Sequence, residues 1–174
     1  GIGISSKELP ASILRFHTSK ITTVSDLFAI STLGFRGEAL ASIASVSEMK
    51  VISSIGEDEG ASISIVNGET GDIEPAPRIQ GTEITISNLF YNTPVRKKFL
   101  KTPRTELRKI VDIVRRYGLA YPEVAFKLIA DDRQIFNLSK EKLETRIDSL
   151  LDPTYSKNLL PINITKGDYS FSGF

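Results

Sequence analysis

Two alternating runs, Lys50 to Ile55 and Ala61 to Val66, are separated by the turn-like segment Gly56-Glu57-Asp58-Glu59-Gly60. A link that short leaves no room for a crossover helix, so the two runs must return antiparallel as a hairpin. Asn67 to Gly71 reads as another turn, and Thr82 to Ser87, with its Thr-Ile alternation, as the next strand. Val124 to Ala130 and Gln134 to Leu138 form a second hairpin around Asp131-Asp132. Helical signals lie between and around these runs. Ser5 and Glu8 have capping-box spacing and open a first helix reaching about Phe16, with Pro10 near its first turn. Ser25-Asp26 starts a short helix through Ala29, and a strong helical run covers Glu38 to Val46. Thr93-Pro94 and Thr102-Pro103 each place Pro just after an N-cap and open two more helices. The longer carries Leu107, Ile110, Val111, Val114 and Tyr117 on one face and ends at Pro122. Lys140 to Leu151 is a last helix with Leu143, Ile147, Leu150 and Leu151 facing inward. Hairpins outnumber crossovers, so the expected fold is α+β: a two-layer sandwich with a mixed, mainly antiparallel sheet and helices on one face.

The chain's 174 residues suit one domain with room for the start of a second. The expected division is residues 1–150 and 151–174. A hydrophobic content of 40% with 25% charged residues is that of an ordinary water-soluble domain. There is no apolar run of membrane-spanning length and no secretory pattern at the start. With no cysteine the chain can form neither disulfides nor a Cys-ligated zinc site, and one histidine makes a His-based metal site or a Ser-His-Asp triad a poor reading. His17 reads as a loop or packing residue.

Three segments carry chemistry. In Leu33-Gly34-Phe35-Arg36-Gly37-Glu38-Ala39-Leu40 two glycines stand at the mouth of a helix. A helix start offers unpaired N–H groups and partial positive charge, and glycine lets the backbone approach an anion with no Cβ in the way. Arg15-Phe16-His17-Thr18-Ser19-Lys20 sets two hydroxyls and a mobile point charge in a polar loop that can close over an anion. Between Arg96 and Arg116 stand nine basic residues and two acids, a net +7 against +1 for the whole chain. Such a stripe reads by itself as a solvated helix face that can also bind nucleic-acid phosphates; the family resemblance given below implies the second, with Arg96, Lys97, Lys98, Lys101, Arg104 and Arg108 as the candidate DNA contacts. Contacts of this kind set position and affinity rather than sequence preference.

Taken in order with Gly1-Ile2-Gly3-Ile4, Gly81-Thr82-Glu83 and Phe90-Tyr91-Asn92-Thr93-Pro94-Val95-Arg96-Lys97-Lys98-Phe99-Leu100, these segments resemble the N-terminal ATPase region of the MutL DNA mismatch repair family. That family belongs to the GHKL group, which shares the Bergerat ATPase fold with gyrase, a heat-shock chaperone and histidine kinases. The resemblance covers nearly the whole chain. It implies that fold in incomplete form, followed by the start of a second α/β domain. It also implies ATP as ligand. Gly1 and Gly3 match glycines beside the adenine, and Thr82 matches a threonine on the sheet near it. Thr18, Ser19 and Lys20 match part of the ATP lid. Gly34, Phe35, Arg36, Gly37, Glu38, Ala39 and Leu40 match the loop and helix start that cradle the phosphates. Arg36 either reaches a phosphate or ties the lid to Glu38, with the second preferred. The lid here reads Arg-Phe-His-Thr-Ser-Lys where many members have Arg-His-Ala-Thr-Ser-Lys.

The family's water-activating Glu and its Asn that holds Mg²⁺ lie on a helix that would precede Gly1, and a lysine near the γ-phosphate comes from a following domain. The chain opens in what reads as the tail of an Asp-x-Gly-x-Gly motif and is expected to be an incomplete piece of a longer protein. The expectation is a slow ATPase in the full-length protein, requiring ATP and Mg²⁺, and no turnover by these residues alone. ATP binding would drive dimerisation around DNA. The implied partners are a MutS-type mismatch sensor and an endonuclease or a helicase, in the cytoplasm of a bacterium or the nucleus of a eukaryote. The alternatives are a DNA-binding scaffold with an inert pocket and another ATPase of the group, such as a topoisomerase subunit.

Overall fold

The structure is a computed structural model that describes residues 1–30, 32–56, 59–151 and 157–174, with backbone alone at Leu27. They fall into two compact units, Gly1–Leu100 and Lys101–Phe174.

The first unit is built on a four-stranded antiparallel sheet of order β3-β2-β1-β4, from β1 (Glu48–Ser54), β2 (Ala61–Val66), β3 (Glu69–Pro75) and β4 (Gly81–Ser87). Residues directly opposite in an antiparallel pair share a face. Met49 faces Ile65 and Ile86, and Val51 faces Ile63 and Ile84. That face carries the core. Leu9, Ile13 and Ala44 cover Met49, Val51, Ile63 and Ile65 from the helical side. Coverage fades toward β4, where Ile84 and Ile86 stay 40% and 45% exposed. The hairpin and the Thr82 strand are present as the alternation predicts; residues 57 and 58 of its turn lie outside the described residues.

Three local expectations change. The helix expected from Ser5 to Phe16 is a series of turns ending in a 3₁₀ segment, Ala11–Ile13. The capping contacts do form: the Ser5 hydroxyl accepts from Glu8 N–H at 3.3 Å and donates to the Glu8 carboxylate at 2.8 Å. Pro10 has no N–H to continue the ladder, and Leu14 is already extended at ψ 144°. The turn expected from Asn67 to Gly71 closes within Asn67-Gly68, and β3 follows at once. Asn67 at φ 58° with glycine after it makes a two-residue hairpin turn. As an exposed edge strand, β3 carries no apolar alternation to betray it. The helix after Gly37 is shorter than expected, α1 running from Ala39 to Ala44.

The segment following β4 is largely scaffolding. Phe90 N–H donates to Val46 O and Asn92 Nδ2 to Ser45 O at 2.9 Å, which satisfies carbonyls past the end of α1. Tyr91 Oη is hydrogen-bonded to Asn67, both to its side chain and to its N–H, and so staples the β2–β3 turn. A short helix, α2 (Pro94–Lys98), opens at Pro94 as predicted, but the Thr93 side chain makes no capping hydrogen bond there.

The second unit contains α3 (Pro103–Ala120), the hairpin β5 (Phe126–Ala130) and β6 (Arg133–Leu138), α4 (Leu143–Leu150) and the hairpin β7 (Ile162–Lys166) and β8 (Tyr169–Gly173). Thr102 caps α3 by accepting from Thr105 N–H. The inward stripe of α3 is rotated from the expected one. Gly118 is buried and Val111 and Val114 are half-buried, while Ile110 and Tyr117 are 48% and 43% exposed. The rotation follows from what lies beneath. A Cβ on Gly118 would sit 3.0 Å from Leu150 and 3.2 Å from Leu138, so α3 approaches α4 and β6 at its glycine.

Arg146 of α4, fully buried, organises this contact. Its Nε donates to Glu141 at 2.6 Å and Nη1 to Gly118 O at 2.8 Å. Nη2 reaches Pro122 O and Val124 O at 3.0 Å and Ser139 O at 2.5 Å. The guanidinium also lies over the Phe126 ring, 6.0 Å from its centroid. Truncating it leaves a half-buried carboxylate and several carbonyls without their donor. Arg146→Ala is expected to cost about 3–5 kcal/mol, read as reduced amide protection in α3, α4 and the β5–β6 hairpin by hydrogen exchange. Unchanged protection there would contradict this role.

Candidate functional site

A cavity of about 730 Å³ opens in the first unit. It is lined by residues 2–4, 8, 11–12, 17–20 and 33–40. Three stretches far apart in sequence therefore meet: the chain start, the polar loop and the glycine-containing segment that leads into α1.

Two backbone approaches bring them together. Gly3, at φ +81°, lies so close to β1 that a Cβ there would fall 1.9 Å from Ser54 O. Gly37, at φ +66°, meets His17 in the same way, with the His17 backbone O, C and N at 2.3–2.8 Å from the position of a Cβ. Only glycine combines that left-handed conformation with that proximity. Phe16 N–H also donates to Gly37 O at 3.0 Å, so the polar loop is stitched to the glycine segment.

Beside Gly3 the end of the sheet carries a saturated hydroxyl. Ser53 Oγ accepts from Ile4 N–H at 2.7 Å and lies 3.0 Å from Gly81 O and 2.7 Å from Thr82 Oγ1. A hydroxyl has one proton and two lone pairs. With Ser53 donating to Gly81 O, Thr82 must donate to Ser53, and all three positions are used.

Charges in the cavity balance. Arg36 Nε lies 2.9 Å from Glu38 Oε2 within the same segment. Glu8 is bound to Ser5. Lys20 makes no ion pair among the described residues, and its N–H donates to Thr18 Oγ1 at 3.1 Å. The loop leaving Lys20 is fastened by Asp26. Its carboxylate accepts from the N–H groups of Thr22 and Thr23, both at 2.8 Å, and from the Thr22 hydroxyl. These bonds, those from the backbone first, hold the Asp26 carboxyl down at about 2.

Of the candidate residues, Gly3, Thr18, Ser19, Lys20 and all of 34–40 line this one cavity. Gly1 and Thr82 do not line it; Thr82 reaches it only through Ser53 and Ile4. Residues 2, 4, 8, 11, 12, 17 and 33 line it without having been candidates for ligand contact. Ile2, Ile4, His17 and Leu33 stand inside the quoted motifs, so membership of those motifs was the available signal. Glu8, Ala11 and Ser12 came with none. Glu8 and Glu38 are the cavity's two carboxylates and both are engaged, and no group of three or more metal-ligating side chains gathers among the described residues. The lining residues do not fit a Mg²⁺ site of their own. No helix among the described residues is long and apolar enough to cross a membrane. The basic candidates divide between the units. Arg96, Lys97 and Lys98 are exposed on α2, and Lys101, Arg104 and Arg108 are exposed at the start of the second unit.

No family model matches the chain. Curated proteins do, over its whole length. It is 44% identical to the DNA mismatch repair protein MutL of Streptococcus uberis and 43% identical to that of Dictyoglomus turgidum. The chain spans about a third or less of these relatives, 27% and 31% of their lengths. Among solved structures it is similar to a MutL ATPase domain of Aquifex aeolicus complexed with ADP. The identity is 29% and the TM-score 0.70, over 94% of this chain and 56% of that one. A similar fold, TM-score 0.74 at 24% identity, occurs in the N-terminal domain of a DNA repair protein, with 94% of this chain and 49% of that one covered.

The Asp26 fastening has a pH signature. A carboxyl depressed by folding contributes stability above its ordinary value of 3.8, and this is lost as pH falls through about 2. The stability gap between the protein and Asp26→Asn is therefore expected to be full at neutral pH and to close in strong acid. A gap that is constant across that window in denaturation curves would contradict it.

Proposed function

We propose that this chain, aligned along its full length with MutL proteins, is an N-terminal ATPase region of MutL type and that its cavity is the nucleotide site of a DNA mismatch repair ATPase. One observation carries the reading. Thr18, Ser19 and Lys20 and the whole segment 34–40 line a single cavity, in a fold like that of a MutL domain complexed with ADP. In this reading backbone N–H groups of residues 34–40 receive the phosphates. Lys20 supplies a point charge, while Arg36 shapes the loop through Glu38. Gly1, Gly3 and Thr82 border the base. Residues 1–150 belong to the ATPase domain and 151–174 open a second one.

Phosphoryl transfer needs charge neutralisation and an oriented water. The resemblance assigns the water-activating Glu and the Mg²⁺-holding Asn to a helix preceding the matched motifs, and turnover is ascribed to the full-length protein. In the full-length protein ATP orders the 17–20 loop, and the ordered state favours association of two N-terminal regions on DNA, with hydrolysis releasing them. A MutS-type sensor and an endonuclease or helicase are the matching partners. The bacterial origin of these relatives favours the cytoplasm over a nucleus as the setting.

Titration calorimetry on the full-length protein tests the site. ADP is expected to bind, and Lys20→Ala to weaken it by about tenfold, as loss of one charge-assisted hydrogen bond does. Equal affinity in the variant would sink the assignment. The basic residues are tested by salt. Replacing Arg96, Lys97 and Lys98 by Gln is expected to weaken DNA binding and to flatten its salt dependence, by about 0.9 in log–log slope for each phosphate no longer neutralised. An unchanged slope would remove α2 from the DNA surface.

A further inference from the structure

Resting on the reading of the cavity as a polyphosphate site, we propose that His17 is a further ligand-contacting residue, its imidazole donating to a nucleotide phosphate and carrying positive charge in the bound state. Charge and position support this. The cavity's cations, Lys20 and Arg36, are matched by Glu8 and Glu38. Arg36 is engaged by Glu38 at 2.9 Å, so Lys20 is the one lining cation without an ion pair among the described residues. A polyphosphate brings several negative charges into a lining that is itself near neutral. His17 is the chain's only histidine and the only other lining side chain that can become cationic.

Its backbone is also held in place. His17 N–H donates to Leu14 O at 3.4 Å, and the preceding Phe16 N–H donates to Gly37 O at 3.0 Å. The His17 backbone packs so tightly on Gly37 that no Cβ fits between them. Its Cα therefore sits beside the segment whose amides receive the phosphates. The charged groups that line the same cavity are Glu8, Lys20, Arg36 and Glu38. Imidazole is the side chain that changes charge across the neutral range. A bound phosphate favours the protonated ring, so the gain in affinity is present at lower pH and is lost as pH rises.

ADP binding to the full-length protein, to His17→Gln and to His17→Lys, each measured near pH 6 and near pH 8, tests this. The ratio of affinities cancels the titration of ADP itself. The protein is expected to exceed His17→Gln by about tenfold near pH 6 and by less than about twofold near pH 8. His17→Lys, with a permanent charge, is expected to exceed His17→Gln at both. A ratio to His17→Gln that does not change with pH, or a Lys variant no tighter than the Gln variant, overturns the proposal while leaving the nucleotide site standing. Absence of ADP binding by all three proteins at both pH values overturns the nucleotide reading and this proposal with it.

Discussion

The cavity of the first unit depends on contact between backbones. Gly3 lies against Ser54 and Gly37 against His17, each at a distance that excludes a side chain. These contacts fix the chain start to the sheet and the polar loop to the segment leading into α1. Side chains then follow. Ile4 N–H finds Ser53, Ser53 is saturated by Gly81 and Thr82, and Thr82 is set at the edge of the region. A site defined by backbone geometry presents amides more than charges. That suits a ligand recognised through phosphate oxygens, because N–H groups around a helix start bind an anion without bringing a counter-charge into conflict with Glu8 and Glu38.

The second unit is organised on the opposite principle, by one charge in its interior. Arg146 is fully buried, yet every nitrogen of its guanidinium has a partner. Its planar fork suits this, since donors spread in several directions can satisfy carbonyls from the end of α3, the loop after it and the start of the segment before α4. Buried charge of this kind is tolerated only when it is fully paired. The sequence offered no sign of it. Arg146 lies between Leu143 and Ile147 in a helix whose apolar residues were enough to assign the inward face, and hydropathy places an arginine outside.

What was legible followed the period-2 and turn signals. The β1–β2 and β5–β6 hairpins, β4, and the Pro-initiated helices α2 and α3 stand where alternation and proline place them, with the expected Thr cap formed at α3 alone of the two. β3 was hidden because an exposed edge strand rich in Glu, Asp and Gly pairs through its backbone alone. The first helix was over-read because capping residues start a helix but cannot carry it past a proline. The gathering of residues 17–20 with 34–40 was legible as two anion-suited segments, and the resemblance joined them. The cavity wall formed by Glu8, Ala11 and Ser12 was not legible, since it depends on how the turns after Ser5 pack on β1. The Phe90 to Leu100 string marks the family, yet its first part works mainly as a brace, through Tyr91 on Asn67 and Asn92 on Ser45.

The most direct measurement of the central claim is a crystal structure of the full-length protein grown with ADP. Diphosphate oxygens within hydrogen-bond reach of the N–H groups of residues 34–40, with Lys20 Nζ turned toward them, are the predicted result. A nucleotide bound outside the cavity, with those N–H groups facing only solvent, would contradict it.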